Sequence, residues 1–272
     1  MAVNKAIYIL RHDPVLRIYA INDTHTGSIS SREKEQSKLA NIIANDPNGM
    51  ILGIGDYTES IALSDRRFDA SEMLRPISPE HVSNPFYQQA LRFCKIWEPT
   101  IGKWLAVIPG NHELTALKRY HIDVTAIIAE RMGCPYLGGT AMSGWLRVSM
   151  RSPGGSSSGK VDIFAAHGWG AGELRGGDAL KLQRLLWRKS ASVVVIAHTH
   201  RGMVFPETVE YINSSGYECE ETRWGVISPA LVGKHNYLAS HGGNAPSPCY
   251  AVITLERDRA NPPRISAELR TI

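Results

Sequence analysis

Residues 192–201, SVVVIAHTHR, decide how the chain is read. The four β-branched residues at 193–196 are typical of a short strand that is buried on both faces. Two histidines, His198 and His200, follow at a spacing of two. In extended chain this spacing covers about 6.6 Å and turns both side chains to one side. Two imidazoles placed in this way could serve the two members of a metal pair about 3.5–4 Å apart.

Four other apolar runs end in the same way, at a residue whose side chain can bind a metal ion. Asp23 and His25 follow the run at 15–21, and Gly55 and Asp56 follow the run at 50–54. The run at 104–108 is followed by Gly110, Asn111, His112 and Glu113, and the run at 161–166 by His167. Taken singly, such a residue is more typical of a turn or of an ordinary core histidine. Five cases in one chain, each behind a strand-like run, favour one shared site built from nitrogen and oxygen ligands.

The composition is that of an ordinary globular chain of 272 residues, 43% apolar and 21% charged, which is long enough for one large α/β domain. The net charge of +4 permits a polyanionic partner without requiring one. The four cysteines are scattered without a CxxC pair, which disfavours a thiolate zinc site or a disulfide framework. The apolar run near the N-terminus is too short for a signal peptide or a membrane span, so we expect a cytoplasmic protein without membrane contact.

Apolar periodicity and capping residues predict helices between the strands. A capping box at Ser30 and Glu33 predicts the start of the first helix. Asp123 is the predicted N-cap of a later helix. Asp178 is the predicted N-cap of a helix over residues 179–189, and that helix carries a basic face.

Residues 57–103 differ from the rest because they mix polar and aromatic residues, including Arg66 and Arg67, without a long strand signal. Residues 86–97 have helical periodicity. The segment is therefore predicted to be a helical insertion after the second strand. It either simply covers the sheet or also forms a cap that shapes the substrate pocket.

Strands alternate with helices in the first part of the chain, and strands dominate residues 203–272. This order predicts an α/β fold, a four-layer αββα sandwich of two mixed sheets flanked by helices. We expect residues 1–272 to form a single domain, since neither an internal repeat nor a linker interrupts it. His235 and His241 lie in a glycine-rich loop within residues 233–247, where they either line the substrate pocket or are ordinary loop residues.

Together these residues follow the order D-x-H, G-D, G-N-H-E, H and H-x-H, which resembles the calcineurin-like metallophosphoesterase family over roughly residues 16–201. The sequence departs from the family pattern at Glu113, where aspartate is more usual, and at Ala197, where glycine is. Neither change removes a candidate ligand. The stretch from His167 to His200 is also similar to phosphoesterases carried by phages and mobile elements.

The resemblance implies a centre with two divalent cations, of which manganese is the first expectation and iron, zinc, cobalt and nickel are alternatives. The residues implied for one cation are Asp23, His25, Asp56 and His200. Those implied for the other are Asp56, Asn111, His167 and His198, with Asp56 bridging. His112 is implied to face the substrate without binding metal, and we expect Glu113 to orient it through its other ring nitrogen.

The implied activity is hydrolysis of a phosphate ester by in-line attack of a metal-bridging hydroxide. Two divalent ions and two carboxylates leave a positive site that suits a phosphate oxyanion. A phosphodiesterase or nuclease is the preferred prediction, because the mildly basic chain would suit a nucleic acid or nucleotide partner. The basic helix face formed by Lys181, Arg184 and Arg188 is either such a contact or a solvated surface. The alternatives are a phosphomonoesterase or protein phosphatase, and a non-catalytic metal-binding scaffold.

Overall fold

The structure is a computed structural model that describes residues 7–11, 13–61, 65, 68, 71, 73, 83–151, 158–170, 175–233, 247–257 and 263–272. Within these ranges the chain forms five α-helices and eleven strands. Arg66, Arg67, His235 and His241 lie outside the described residues, so the expectations for them stay predictions. None of the described helices is long and apolar enough to cross a lipid bilayer.

The first sheet has five strands in the described part of the chain, in the order β11-β10-β2-β3-β4. Its centre is parallel: β2 (Val15–Ile21) pairs with β3 (Gly49–Ile54), which pairs with β4 (Trp104–Ile108). On the other side β10 (Cys249–Glu256) and β11 (Arg264–Thr271) run antiparallel. The three parallel strands therefore end at one common edge.

The second sheet has six strands in the same described ranges, in the order β1-β5-β6-β7-β9-β8. Their bounds are β1 (Ile7–Arg11), β5 (Ser143–Arg151), β6 (Ser158–Ala166), β7 (Val193–Ile196), β8 (Met203–Ile212) and β9 (Glu218–Ile227). The central strands β6, β7 and β9 are parallel, and β8 closes the sheet as the antiparallel arm of a long hairpin with β9. The strand β1, which the sequence patterns did not predict, pairs with β5.

Strand alternation explains why the sheets stack. Leu16 and Ile18 of β2 point into a buried cluster that also contains Val193 and Val195 of β7. Tyr19, one residue after Ile18, points the other way into the cluster beneath the helices. Both faces of the central strands are thus buried, which accounts for their continuous apolar runs.

Helices cover both outer faces. Four of the described helices pack on the five-stranded sheet: α1 (Glu33–Asn45), α2 (Pro85–Trp97), α3 (Asn111–Tyr120) and α4 (Val124–Met132). The fifth, α5 (Arg175–Arg188), packs on the six-stranded sheet. The predicted four-layer αββα sandwich of two mixed sheets is confirmed, and α2 is the helix expected within residues 57–103.

Two predicted helix starts are wrong and one holds. The first residue of α1 is Glu33, and its N-cap Arg32 makes no side-chain capping bond. Ser30 lies two residues before this N-cap, and its hydroxyl bonds that of Ser28 at 2.8 Å. Asp123 does cap α4, accepting a hydrogen bond from the Ala126 amide at 2.9 Å.

The start of α5 lies upstream of the predicted N-cap. The helix begins at Arg175, so Asp178 lies inside its first turn. There the Asp178 carboxylate pairs with Lys181 at 3.4 Å and with Arg201 at 3.7 Å. Among the described residues, the partners of this carboxylate are therefore cationic side chains and not backbone amides.

Candidate metal centre

The candidate ligands lie where parallel strands of both sheets end. The segments behind β2 and β3 are joined, since the Asp23 amide donates to the Gly55 carbonyl at 3.0 Å. The two sheets are joined at the same place, because the His198 amide donates to Asp23 Oδ2 at 3.0 Å. The Ala197 amide donates a hydrogen bond of 3.2 Å to the His167 carbonyl, which holds the segments that follow β6 and β7 together.

The backbone is unusual at five of these positions. Positive φ values occur at Asp23 (43°), His25 (42°), Asp56 (51°), His198 (71°) and His200 (61°). Residues other than glycine adopt this region at an energetic cost and in few places. Such residues concentrate at binding and active sites, where the surrounding fold holds the strained backbone in place.

The extended geometry predicted for His198 and His200 is wrong. The strand β7 ends at Ile196, and both histidines follow in left-handed backbone. Their side chains nevertheless reach different groups. His200 Nε2 lies 3.4 Å from Asp23 Oδ1, whereas His198 Nδ1 lies 3.3 Å from His167 Nε2.

The structure brings all the predicted ligand residues together in two neighbouring groups. In one, donor atoms of Asp23, His25 and His200 lie within 4.8 Å of one another, and in the other the same holds for Asp56, His167 and His198. The Asn111 amide oxygen, 3.2 Å from His167 Nε2, joins the second group. Asp56 also lies between the groups, because its Oδ2 is 4.0 Å from His25 Nε2 and 3.1 Å from His167 Nε2.

Unpaired buried atoms are a further reason to assign a cation to this donor set. Asp23 Oδ1 and His25 Nε2 are buried polar atoms without a hydrogen-bond partner within the described part of the chain. Leaving a buried polar atom unpaired costs about 1–3 kcal/mol, so such atoms call for an explanation. A bound cation between Asp23 and His25 would satisfy both atoms at once.

The electrostatics are those of a buried acidic site. Asp23 and Asp56 are 0% and 2% exposed, and their ion-pair partners in the described structure are histidines. Burial raises the pKa of Asp56, but the charge of His167 and other histidines outweighs it and holds the pKa well below its usual range. Burial likewise lowers the pKa of His167, yet the Asp56 carboxylate outweighs it and raises the pKa to about 10.

Neighbouring carbonyl and carboxylate groups fix which ring nitrogens face the centre. His167 Nδ1 donates to the Ile54 carbonyl at 2.7 Å, and His25 Nδ1 lies 2.9 Å from the Glu59 carboxylate. His112 Nδ1 bonds the backbone carbonyl of Glu59. In each ring Nδ1 therefore donates to its protein partner, and Nε2 is the nitrogen left to face a cation or a substrate.

Glu59 was missed by the sequence reasoning. It holds His25 through its side chain and His112 through its main chain. It follows Asp56 by three residues, outside any strand or helix, so no periodicity marks it. The available signal was a second carboxylate close behind the G-D pair.

The predicted contact between Glu113 and His112 is wrong. Glu113 is the third residue of α3, and its carboxylate turns back to accept amide hydrogen bonds from Gly110 at 2.9 Å, Asp56 at 2.8 Å and Thr58 at 3.0 Å. Burial, followed by the charge of Asp56, raises its pKa. Glu113 thus fastens the segment behind β3 to the start of α3 and acts on Asp56 rather than on His112.

Two positions near the centre require glycine because neighbouring groups leave no room for a Cβ atom. A Cβ atom on Gly110 would collide with the Asp56 carboxylate. One on Gly55 would lie 2.8 Å from His167 Nδ1 and 2.5 Å from the Gly110 amide nitrogen. The glycines of the G-D and G-N-H segments therefore let three ligand-bearing loops meet.

Comparison with known proteins was made on sequence and on structure. The family described as calcineurin-like phosphoesterase matches residues 16–226, more than half of the chain. No curated protein matches the sequence at a significant level.

Among solved structures, the chain is similar to a predicted phosphoesterase from Streptococcus pneumoniae, with 12% identity over 93% of this chain and 98% of that chain and a TM-score of 0.36. It is also similar to Vps29 from Chaetomium thermophilum, with 13% identity over 94% and 97% of the two chains and a TM-score of 0.40. At these identities and TM-scores the two structures bear on neither activity nor substrate.

Proposed function

The chain belongs to the calcineurin-like phosphoesterase family, and on that premise we propose that it is a phosphodiesterase that works with two divalent cations. The observation that carries the proposal is the meeting of two donor groups around Asp56, one of which contains two unpaired buried atoms, Asp23 Oδ1 and His25 Nε2. The imidazole of His112 borders this group, since its ring centroid lies 4.6 Å from that of His25.

We assign Asp23, His25 and His200 to one cation, and Asn111, His167 and His198 to the other, with Asp56 shared. Mixed nitrogen and oxygen donors suit manganese, iron, zinc, cobalt or nickel, and manganese is our first choice. Bound divalent cations supply the charge that draws in a phosphate oxyanion and make water a better nucleophile. Because only two of these side chains are carboxylates, the loaded site keeps a net positive charge.

His112 is the residue that we place on the leaving-group side. Its amide donates to Asp56 Oδ1 at 3.0 Å, which fixes the first turn of α3, and the Glu59 carbonyl fixes its ring. Nε2 points away from that carbonyl, and in the imidazolium form it carries a second proton that can pass to the departing oxygen. The leaving group of an alkyl phosphate ester departs as an alkoxide that needs such a proton, and general acid catalysis of this kind contributes about 10²–10⁴-fold.

The test is a comparison of two aryl phosphates with chelator-stripped protein reloaded with manganese. We expect a kcat/KM for bis(4-nitrophenyl) phosphate at least about tenfold above that for 4-nitrophenyl phosphate, which corresponds to about 1.4 kcal/mol. Preference for the monoester would favour a phosphomonoesterase instead. Turnover of neither ester by protein that has bound metal would favour a non-catalytic scaffold.

The substitution His112→Ala separates catalysis from metal binding. It is expected to lower turnover of a diester with an alkoxide leaving group, such as a dinucleotide, about 100-fold or more, while elemental analysis finds as much bound metal as in the unsubstituted chain. The matched substitution His25→Ala should lower both quantities, because His25 is assigned as a ligand. Loss of metal from His112→Ala would show that His112 is itself a ligand, as its membership in a group with His25 and Asp56 would permit.

A further inference from the structure

We propose that Lys181, Arg201 and Trp169 form a subsite for the nucleotide next to the scissile phosphate, so that the substrate is a single-stranded oligonucleotide. The inference rests on the proposed diesterase function and names the substrate of that same site. It begins from the loop behind β6, which connects the metal centre to the start of α5.

This loop passes between the candidate ligands and the basic side chains. At one end, a Cβ on Gly168 would lie 3.4 Å from the Cβ of His198. At the other end, a Cβ on Gly170 would lie 3.6 Å from Lys181 Nζ. Within the described residues, the short segment from Gly168 to Gly170 therefore approaches His198 at one end and the ammonium group of Lys181 at the other.

A buried carboxylate positions the two cationic side chains. Asp178 is 1% exposed and pairs with Lys181 at 3.4 Å and with Arg201 at 3.7 Å, and Arg201 directly follows the candidate ligand His200. One carboxylate beside two cations leaves the cluster with a net positive charge. The side chains of Lys181 and Arg201 are 23% and 33% exposed, so both are in contact with solvent. A guanidinium with five donors and an ammonium with three suit a second phosphate group.

Trp169 supplies an aromatic surface on the same loop. Its side chain is 52% exposed, and in the sequence it follows the buried His167 by two residues and directly precedes Gly170, the position that approaches Lys181. An exposed tryptophan next to a phosphate-binding cluster is the arrangement that stacks an unpaired base in sequence-tolerant binding of single strands. A small aryl ester has neither a second phosphate nor a base, whereas an oligonucleotide supplies both at a fixed spacing.

The test compares thymidine dinucleotide TpT with trinucleotide TpTpT, using the manganese-loaded full chain. TpTpT has a flanking phosphate and base that TpT lacks, so its kcat/KM is expected to be about tenfold higher or more. Lys181→Met should lower this ratio several-fold, towards the value of about 2 that two equivalent bonds would give by number alone, because the flanking phosphate loses one of its cationic partners. An unchanged ratio in Lys181→Met overturns the subsite.

A charge-matched control lies on the same helix. Arg188 is exposed and lies seven residues beyond Lys181, about 10 Å further along the helix. Arg188→Met should keep the TpTpT:TpT ratio, and an equal fall in both variants would indicate a general charge effect and overturn the assignment.

The role of Trp169 has its own readout. Replacing the flanking thymine of TpTpT by an abasic sugar should lower kcat/KM about tenfold in the unsubstituted chain and have little effect in Trp169→Ala. Trp169→Phe should restore the sensitivity to the base, and equal sensitivity in all three proteins contradicts stacking. If the chain cleaves TpT and its kcat/KM is no higher for TpTpT, only the subsite is contradicted. If metal-loaded protein cleaves no diester, the proposed function itself is contradicted.

Discussion

Carboxylates at the two ends of the parallel strands β2, β3 and β4 have opposite surroundings. At the amino end, Asp46 accepts hydrogen bonds from Arg17 Nε at 2.6 Å, the Tyr19 hydroxyl at 2.8 Å and the Asn48 amide at 3.0 Å. At the carboxyl end, Asp23 and Asp56 face histidines, and one oxygen of Asp23 has no hydrogen-bond partner in the described residues.

The difference separates structure from function within one sheet. The charge of Asp46 is balanced by the chain itself, so this carboxylate serves the fold. The charges of Asp23 and Asp56 are balanced by groups that can equally bind a cation, and the backbone around them is strained. Changes at the carboxyl end should therefore remove activity, whereas changes at the amino end should lower stability and leave activity intact.

The largest effect is expected for Gly110→Ala at the carboxyl end of β4. The added methyl group would collide with the Asp56 carboxylate and displace the start of α3. Misplacing reacting groups by about 1 Å costs on the order of 100-fold in rate, so we expect at least that loss in kcat/KM for the diester. Bound metal, measured by elemental analysis, should fall as well.

A matched glycine lies just before the same strand. Gly102 has φ +81° but nothing within 4 Å of an added Cβ. Gly102→Ala should lower the melting temperature through backbone strain and leave kcat/KM unaltered. Equal losses of activity in the two variants would break the contrast between the ends of the sheet.

The next effect is that of Asp56→Asn. The substitution removes the carboxylate that we place between the two cations, so both metal sites should lose occupancy, whereas Asp23→Asn should empty mainly one. Because Asp56 pairs with the buried His167 in the metal-free chain, the free energy of unfolding in chelator should fall in Asp56→Asn. Full retention of two ions by Asp56→Asn would contradict the sharing of Asp56.

Much of this contrast could be predicted from sequence. Buried parallel strands are continuous apolar runs, and the residue behind each run must lie at the common edge, so residues 50–54 and 193–196 located Asp56 and His198 without any tertiary information. The layered fold followed from the order of strands and helices. Neither inference needed the conformation of a loop.

What the sequence could not predict depends on loop conformation and on contacts between distant segments. The left-handed backbone at His198 arises where segments of two sheets meet, which local propensity does not encode. The helix α3 was missed because its first turn is polar, Asn-His-Glu, and shows no apolar periodicity. The hydrogen bonds that Glu113 accepts from the Asp56 and Thr58 amides span 57 and 55 residues, and only the folded chain reveals them.

A smaller effect at the carboxyl end is expected for Glu59→Gln. The Glu59 backbone carbonyl that holds His112 remains, but the charged partner of His25 Nδ1 is lost. Partners of metal-binding histidines typically contribute about 10–100-fold in metal affinity, so activity should fall at low manganese and recover when manganese is raised. A manganese titration of kcat/KM checks this, and a loss that excess manganese does not restore would point to His112 instead.

The smallest effect, and the one that tests the other end of the sheet, is that of Asp46→Asn. Hydrogen bonds from Arg17 outweigh burial and lower the pKa of Asp46 to about 2, below the value of about 3.9 in an unfolded chain. The carboxylate therefore adds stability above about pH 4, and this contribution is lost as the pH falls towards 2. Asp46→Asn should lower the free energy of unfolding by about 1 kcal/mol at pH 7. The difference in this free energy between the two chains should shrink to about half at pH 3.

Urea unfolding in chelator at pH 7, 5 and 3 measures this gap in stability, while diester turnover at pH 7 should not change. A gap that is the same at every pH would mean that the Asp46 charge is not what holds this end of the sheet.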